Sequence, residues 1–305
     1  MRAVVTGATG FVGTWLVKEL LKQNDEVTII VRDKKKVQTE WLGKVEVVEA
    51  SLEQLQNLTS CDFAQKTADI FFHLAWAGMS REKRANIDLQ LGNIRTTAEA
   101  VKLAKKLCCK RFVYAGSIME YEAIQYVTSD DGMAGMGSIY SVAKVTGDYI
   151  AKTLAVQECM EYINVIISNI YGAGEKSERF LNTTLRKMLR NEEIAMTHGT
   201  QLYDFIYVAD AVKAILLVAK EGRANASYYI GNAEQRMLRD YVLEMKSVLH
   251  SNSELLFGAI PFAGTMLTYK EFDTKKLQEM GFQPEVSFEE GIIRTRDWIL
   301  SNLEG

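Results

Sequence analysis

Tyr140 and Lys144 stand at i and i+4 in the run Tyr140-Ser141-Val142-Ala143-Lys144. On a helix that spacing puts both side chains on one face, with Cβ atoms about 5–6 Å apart. A phenol titrates near 10, so proton transfer at neutral pH needs its pKa lowered by about 3 units, or ~4 kcal/mol of preferential stabilisation of the phenolate. A neighbouring ammonium in a water-poor site can supply that. The spacing alone is common on surface helices, and its company is what gives it weight. The strand-like run 111–114 ends in Ala115-Gly116-Ser117. A hydroxyl at the carboxyl end of a strand can hydrogen-bond the same oxygen that a tyrosine protonates.

A second constellation opens the chain. The apolar run 3–5 leads into Thr6-Gly7-Ala8-Thr9-Gly10-Phe11-Val12-Gly13 and then into a helical pattern. Gly7 permits a tight turn, Gly10 lets backbone approach a pyrophosphate, and Gly13 lets the helix pack closely on the sheet. The N–H groups of Thr9, Phe11 and Val12, around the helix start, then face the anion. The end of the second strand chooses the cofactor, because a carboxylate there binds the ribose 2′-hydroxyl of NAD. Here that stretch reads Val31-Arg32-Asp33, followed by Lys34-Lys35-Lys36. A guanidinium suits a 2′-phosphate, so Arg32 favours NADP(H) over NAD(H). Asp33 turned inward is the alternative.

The elements that must position these residues are legible as periodicity. Strand candidates lie at 3–5, 27–31, 45–48, 70–74, 111–114 and 164–168, with helical patterns at 14–22 and 93–107 between them. Such alternation argues for a parallel sheet covered by helices, and right-handed crossovers make it doubly wound. After Tyr171-Gly172 come a basic helical stretch at 179–190, a strand-and-helix pair at 205–220, a strand at 227–230 and a helical tail with little β periodicity. The expected division is 1–170 plus 204–231 for a nucleotide-binding domain, and 171–203 plus 232–305 for a smaller lobe.

Composition narrows the partners. The 305 residues are 48% hydrophobic and 25% charged with a net charge of −3, an ordinary globular balance that offers no nucleic-acid surface. No apolar stretch is long enough for a membrane span or a signal peptide. Cys61, Cys108, Cys109 and Cys159 contain no CxxC pair, and His73, His198 and His250 are far apart. Reduced thiols, a cytoplasmic location and no metal site are the expectation.

Taken together, these motifs resemble the extended short-chain dehydrogenases, a group of nucleotide-sugar epimerases, dehydratases and ketoreductases. The resemblance covers essentially the whole chain. It is carried by TGATGFVG at Thr6, HLAWAG at His73, Asn93 opening a helix, FVYAGSIMEY at Phe112 and YSVAK at Tyr140. SNIYGAG at Ser168, YDFIYVADAVKA at Tyr203 and the closing FDTKKLQEMGFQPEVSFEEGI continue it. It implies an α/β fold with a doubly wound parallel sheet of the Rossmann type and a smaller C-terminal substrate-binding lobe. Ser117, Tyr140 and Lys144 are then catalytic, and Leu52, Leu74, Ala75 and Asn93 join the glycine turn, Arg32, Tyr140 and Lys144 at the cofactor. Trp76, Met119, Asn169, Phe180 and Tyr203 face substrate, and the chain pairs as a homodimer through the helices at 93–107 and 140–156.

Departures from the family pattern refine the expectation. Dehydratases of the group carry Asp-Glu directly after the serine or threonine, where this chain has Ile118 and Met119, so elimination is not expected. Tyr203 replaces an arginine before Asp204-Phe205, with Arg179, Arg186 and Arg190 as substitutes for holding a diphosphate. Ser51 replaces an aspartate after the third strand. The first expectation is an NADPH-dependent reductase of a keto group on a nucleotide-linked deoxysugar, or of another small carbonyl. A 4-epimerase with tightly bound NAD, and a non-catalytic NAD(P)-binding sensor or scaffold, are the alternatives.

Overall fold

The β-branched runs form strands because their side chains pack best on a pleated, buried surface. In the computed structural model, which describes residues 1–80, 82–128, 138–262 and 266–302, the chain divides into two units. These are Met1–Ile167 with Val212–Tyr228, and Ser168–Ala211 with Tyr229–Gly305.

The first unit begins with β1 (Arg2–Thr6), α1 (Phe11–Lys22), β2 (Glu26–Val31), β3 (Val45–Glu49) and β4 (Ile70–His73). It continues with α2 (Ile87–Lys106), β5 (Arg111–Ser117), α3 (Met119–Thr128), α4 (Ser138–Gln157) and β6 (Glu161–Ile167). Then come β7 (Asn169–Tyr171), α5 (Phe180–Leu189), β8 (Ile194–Met196), β9 (Leu202–Tyr203), β10 (Phe205–Tyr207), α6 (Val208–Glu221) and β11 (Ala226–Ile230). The chain closes with β12 (Arg236–Met237), α7 (Leu238–Val248), β13 (Leu255–Phe257), α8 (Lys276–Glu279) and α9 (Phe288–Ser301). The division between the units falls within α6 and β11.

Seven strands form one sheet in the order β11-β6-β5-β4-β1-β2-β3, and every pair from β6 across to β3 is parallel. The order reverses between β1 and β4, which is the switch point of a doubly wound sheet. Phe71, Phe112 and Tyr162 are in register on adjacent strands, and their rings stack at 5.5 and 6.5 Å. Ala100, Val101, Leu103, Ala104 and Leu107 around α2, and Ala151 and Ala155 of α4, close over this ladder.

The second unit holds three two-stranded pairings, β10-β7, β12-β9 and β13-β8. Its aromatic cluster joins Phe205, Tyr241 and Phe288, with ring centroids at 4.9 and 4.7 Å. Asp204 is fully buried and accepts from the Tyr229 hydroxyl at 2.7 Å and from the Asn232 and Ala233 N–H groups. β12 and β13 lie in the tail that periodicity assigns to helices. Strands of two and three residues are too short to display an alternating pattern.

Candidate active site

The glycine turn has the geometry that its spacing predicts. Gly7 has φ +77°, a conformation that favours glycine, and a Cβ there would lie 2.7 Å from the Ala75 nitrogen. The segment after β4 therefore presses directly on the turn after β1. A Cβ at Gly13 would overlap the Gly7 carbonyl oxygen, so helix and turn touch through backbone alone. Gly10 donates its N–H to that oxygen at 3.0 Å and caps α1 without any side-chain hydrogen bond. The N–H groups of Phe11 and Val12, in the first turn, have no acceptor within the helix, and Thr9 beside them is exposed. This cradle, which a side chain would fill, fits a dinucleotide pyrophosphate.

Arg32 is exposed just past β2. The Asp33 carboxylate caps its own 3-10 turn by accepting from the Lys35 N–H at 2.9 Å. Beyond β3, Ser51 caps the 3-10 turn Leu52–Asn57 with a capping box completed by Gln54. Leu52 thus opens that turn, and its burial is intermediate.

Leu74, Ala75 and Trp76 follow β4. Asn93 does not open α2. The helix begins at Ile87, capped by Asn86, whose Oδ1 accepts from the Leu89 N–H at 2.9 Å. Both asparagines satisfy capping chemistry in the sequence, and the earlier one takes the position. Asn93 is buried within the helix, accepting from the Ala77 N–H and donating to the Ala77 carbonyl, each at 2.9 Å. Its amide clamps the loop that carries Trp76. Gln90 holds the Trp76 indole N–H at 2.9 Å from the same helix.

Tyr140 and Lys144 share the buried face of α4 at 3% and 4% exposure. The Lys144 ammonium donates to the Ala115 carbonyl at 2.8 Å and lies 3.7 Å from the Trp76 ring centroid and 5.0 Å from that of Tyr114. Trp76 meets Tyr140 edge-on at 6.2 Å, and the Arg84 guanidinium lies 4.7 Å from the Tyr140 ring centroid. Tyr114 donates its hydroxyl to the Lys144 carbonyl at 3.1 Å. Burial pushes the Lys144 ammonium down, and Glu120 holds it up. Ser117 ends β5, its Oγ accepting from the Met119 N–H at 3.2 Å where α3 begins.

Three groups in this network have no role in the sequence expectation. His73, the last residue of β4, is 1% exposed, and its ring nitrogens lie 2.9 Å from Thr6 Oγ1 and 3.3 Å from Thr97 Oγ1. Burial first, and Lys144 second, bring its pKa down to about 3. Glu120 and Asn164 are buried behind Ser117. A lone asparagine in the apolar strand EYINVII was the available signal for Asn164. Glu120 enters the sequence reading only as part of the FVYAGSIMEY motif that carries the family resemblance, without a role of its own.

The remaining candidates lie in the second unit. Asn169 opens β7 and donates to the Tyr269 hydroxyl at 3.4 Å. Phe180 opens α5, and Tyr203 of β9 stacks on Phe205 at 5.4 Å. Arg179 and Arg190 pair with Glu175 at 3.9 Å and Glu192 at 3.6 Å. Among the described residues no helix is long and apolar enough to cross a membrane, and no group of three His, Cys, Asp or Glu could hold a metal ion.

Comparison with known proteins agrees with this geometry. Residues 3–231 match the model of the NAD dependent epimerase/dehydratase family. The chain is 25% identical over 296 residues to CDP-abequose synthase of Salmonella muenchen, covering 95% of each. It is 25% identical over 320 residues to the UDP-N-acetyl-alpha-D-glucosaminuronate decarboxylase of Bacillus cytotoxicus, covering 97% of each. Among solved structures, MoeE5 in complex with UDP-glucose and NAD superposes with a TM-score of 0.80 at 24% identity, over 99% of this chain and 100% of that one. The chain belongs to the NAD dependent epimerase/dehydratase family, within the extended short-chain dehydrogenases, and is an enzyme.

Proposed function

We propose that the enzyme reduces a keto group on a nucleotide-linked deoxysugar with NADPH. The observation that carries this reading is the enclosed Tyr140–Lys144–Trp76 cluster beside a Ser117 followed by Ile118 and Met119. That arrangement can protonate a carbonyl oxygen, and it places no carboxylate directly after the serine for elimination. Ser117 holds the substrate oxygen, Tyr140 donates its proton to it, and Lys144 lowers the cost of the phenolate that results. Gly7–Gly13 would hold the nicotinamide dinucleotide, which when bound would supply the hydride. Arg32 supports NADPH because Asp33 is engaged in capping its own turn.

The Salmonella relative's name joins it to a CDP-linked sugar, and MoeE5 was solved with UDP-glucose, so the substrate panel should span both nucleotides. NADPH incubated with CDP-, UDP- and dTDP-linked keto-deoxysugars should lose its reduced-nicotinamide absorbance with at least one of them. No loss across the panel would sink the reductase reading.

A 4-epimerase uses the same residues, and the NAD present with MoeE5 favours it. The protein would then purify with NAD bound and convert a nucleotide sugar without consuming added NADPH.

The proposal extends to a cytoplasmic homodimer. Val142, Tyr149 and Val156 recur every seventh residue on α4 and are half or more exposed, as are Ile87 and Leu91 on α2. An apolar stripe of this kind fits a partner copy. Val142→Glu with Tyr149→Glu should shift the sedimentation coefficient from dimer to monomer.

A further inference from the structure

β4 stops at His73, the register partner of Tyr114, while β5 runs on to Ser117. Ile118 donates its N–H to the Ile167 carbonyl of β6. Alternation along a strand therefore turns the peptide groups of Ala115 and Ser117 toward the opposite edge, past the end of β4. Two side chains of opposite charge bind them. Lys144 donates to the Ala115 carbonyl at 2.8 Å, and the Ser117 N–H donates to Glu120 Oε1 at 2.9 Å. A cation from α4 and an acid from α3 thus grip one strand end, two residues apart.

The acid is housed in a built recess. Glu120 is 3% exposed and Asn164 is 1% exposed, and Asn164 Nδ2 donates to Glu120 Oε2 at 3.2 Å. Gly116 makes room for them, since a Cβ there would lie 2.7 Å from Glu120 Oε1 and overlap the Asn164 amide oxygen. Both Glu120 oxygens accept from N–H groups, which suits the ionised carboxylate.

We propose that Glu120 is a positioning residue that fixes Ser117 through its backbone and serves as the counter-charge to Lys144 across the end of β5. The proposal rests on the assignment of Ser117 and Lys144 to the active site made above. The other charged groups that act on Lys144 are Arg84 from the loop before α2, which opposes its charge, and Asp148 from α4, which supports it. Burial first, and Asp148 second, push the Glu120 carboxyl up, and Lys144 holds it down. Tyr114 and His73 also border the cluster.

Trp76, 3.7 Å from the ammonium, reports the charge of Lys144 without substrate or cofactor. Intrinsic fluorescence is titrated against pH, and the Trp76 contribution is isolated by subtracting the Trp76→Phe protein. Lys144→Met should abolish the transition. Glu120→Gln keeps the size and one acceptor but removes the charge, and should move the midpoint down by about 1 pH unit or more. Asn164→Leu deletes the N–H that supports the ionised Glu120 carboxylate and should also move it down. An unmoved or raised midpoint in Glu120→Gln overturns the proposal. If that variant does not fold, an unmoved or raised midpoint in Asn164→Leu overturns it equally. Since no turnover is measured, failure here leaves the reductase reading to its own test.

Discussion

The Lys144 ammonium stands 3.7 Å from the centroid of the Trp76 ring, and α2 fixes that ring through Gln90 and the Asn93 clamp. An aromatic face over a desolvated cation contributes about 0.5–2 kcal/mol. Trp76→Leu should therefore slow keto-sugar reduction by roughly 2- to 30-fold if the full contribution is felt in the transition state. Trp76→Phe should keep part of the rate, because a smaller ring remains over the charge. Equal losses in the two variants would mean that the indole acts by filling space rather than through its electrons.

Tyr140→Phe removes one oxygen from a buried ring whose packing against Trp76 is unchanged. Loss of a positioned general acid costs about 10²–10⁴-fold. Single-turnover reduction should fall by that amount, while fluorescence titration should still show NADPH binding. Turnover at the parent rate would remove Tyr140 from the chemistry.

The glycine turn, Ser117 and the Tyr140/Lys144 pair were legible because each depends on local spacing and on its place after a strand. Trp76 was legible as a position, but its contact with Lys144 requires α4 to be laid beside the β4 end, which no local pattern encodes. The same holds for Glu120. Its motif gives it no partner until Gly116 and Asn164, from two adjacent strands, are brought around it. Asn93 carried the opposite risk, since its cap-like sequence context concealed an interior role on α2.

His73 links folding to pH. In the folded chain burial brings its pKa to about 3, against an ordinary value of 6.5. Below pH 6.5 the unfolded chain takes up a proton that the folded chain refuses, so stability falls as pH drops through that value and keeps falling toward about 3. Between about pH 7.5 and about pH 5 this group should remove about 2 kcal/mol. Urea unfolding of the parent and of His73→Gln at both pH values isolates the effect, since groups shared by the two proteins cancel. An identical pH dependence in both would refute the assignment.

Two glycines should answer alanine in opposite ways. At Gly13 a Cβ overlaps the Gly7 carbonyl, which has no side-chain freedom to yield. Gly13→Ala should destabilise by about 1–3 kcal/mol or more and weaken NADPH binding by displacing the turn. At Gly92, inside α2, nothing lies within 4 Å of the new atom. Gly92→Ala should therefore stabilise by about 0.5–1 kcal/mol, seen as a higher urea midpoint with an unchanged slope.

Arg32 tests the choice of cofactor. Its guanidinium is exposed just past β2, and the neighbouring acid that would otherwise favour a ribose hydroxyl is held by the Lys35 N–H. A charge-assisted hydrogen bond to a phosphate contributes about 1.5–3 kcal/mol. Arg32→Ser should therefore lower kcat/KM for NADPH by roughly 10- to 100-fold and leave that for NADH nearly unchanged, since NADH has no 2′-phosphate to lose. Adding Lys35→Pro, which deletes the N–H that caps onto Asp33, frees that carboxylate and should raise the use of NADH further. If Arg32→Ser depresses both cofactors equally, the arginine supports the fold of the β2 end rather than reading the phosphate, and the epimerase reading with NAD gains ground.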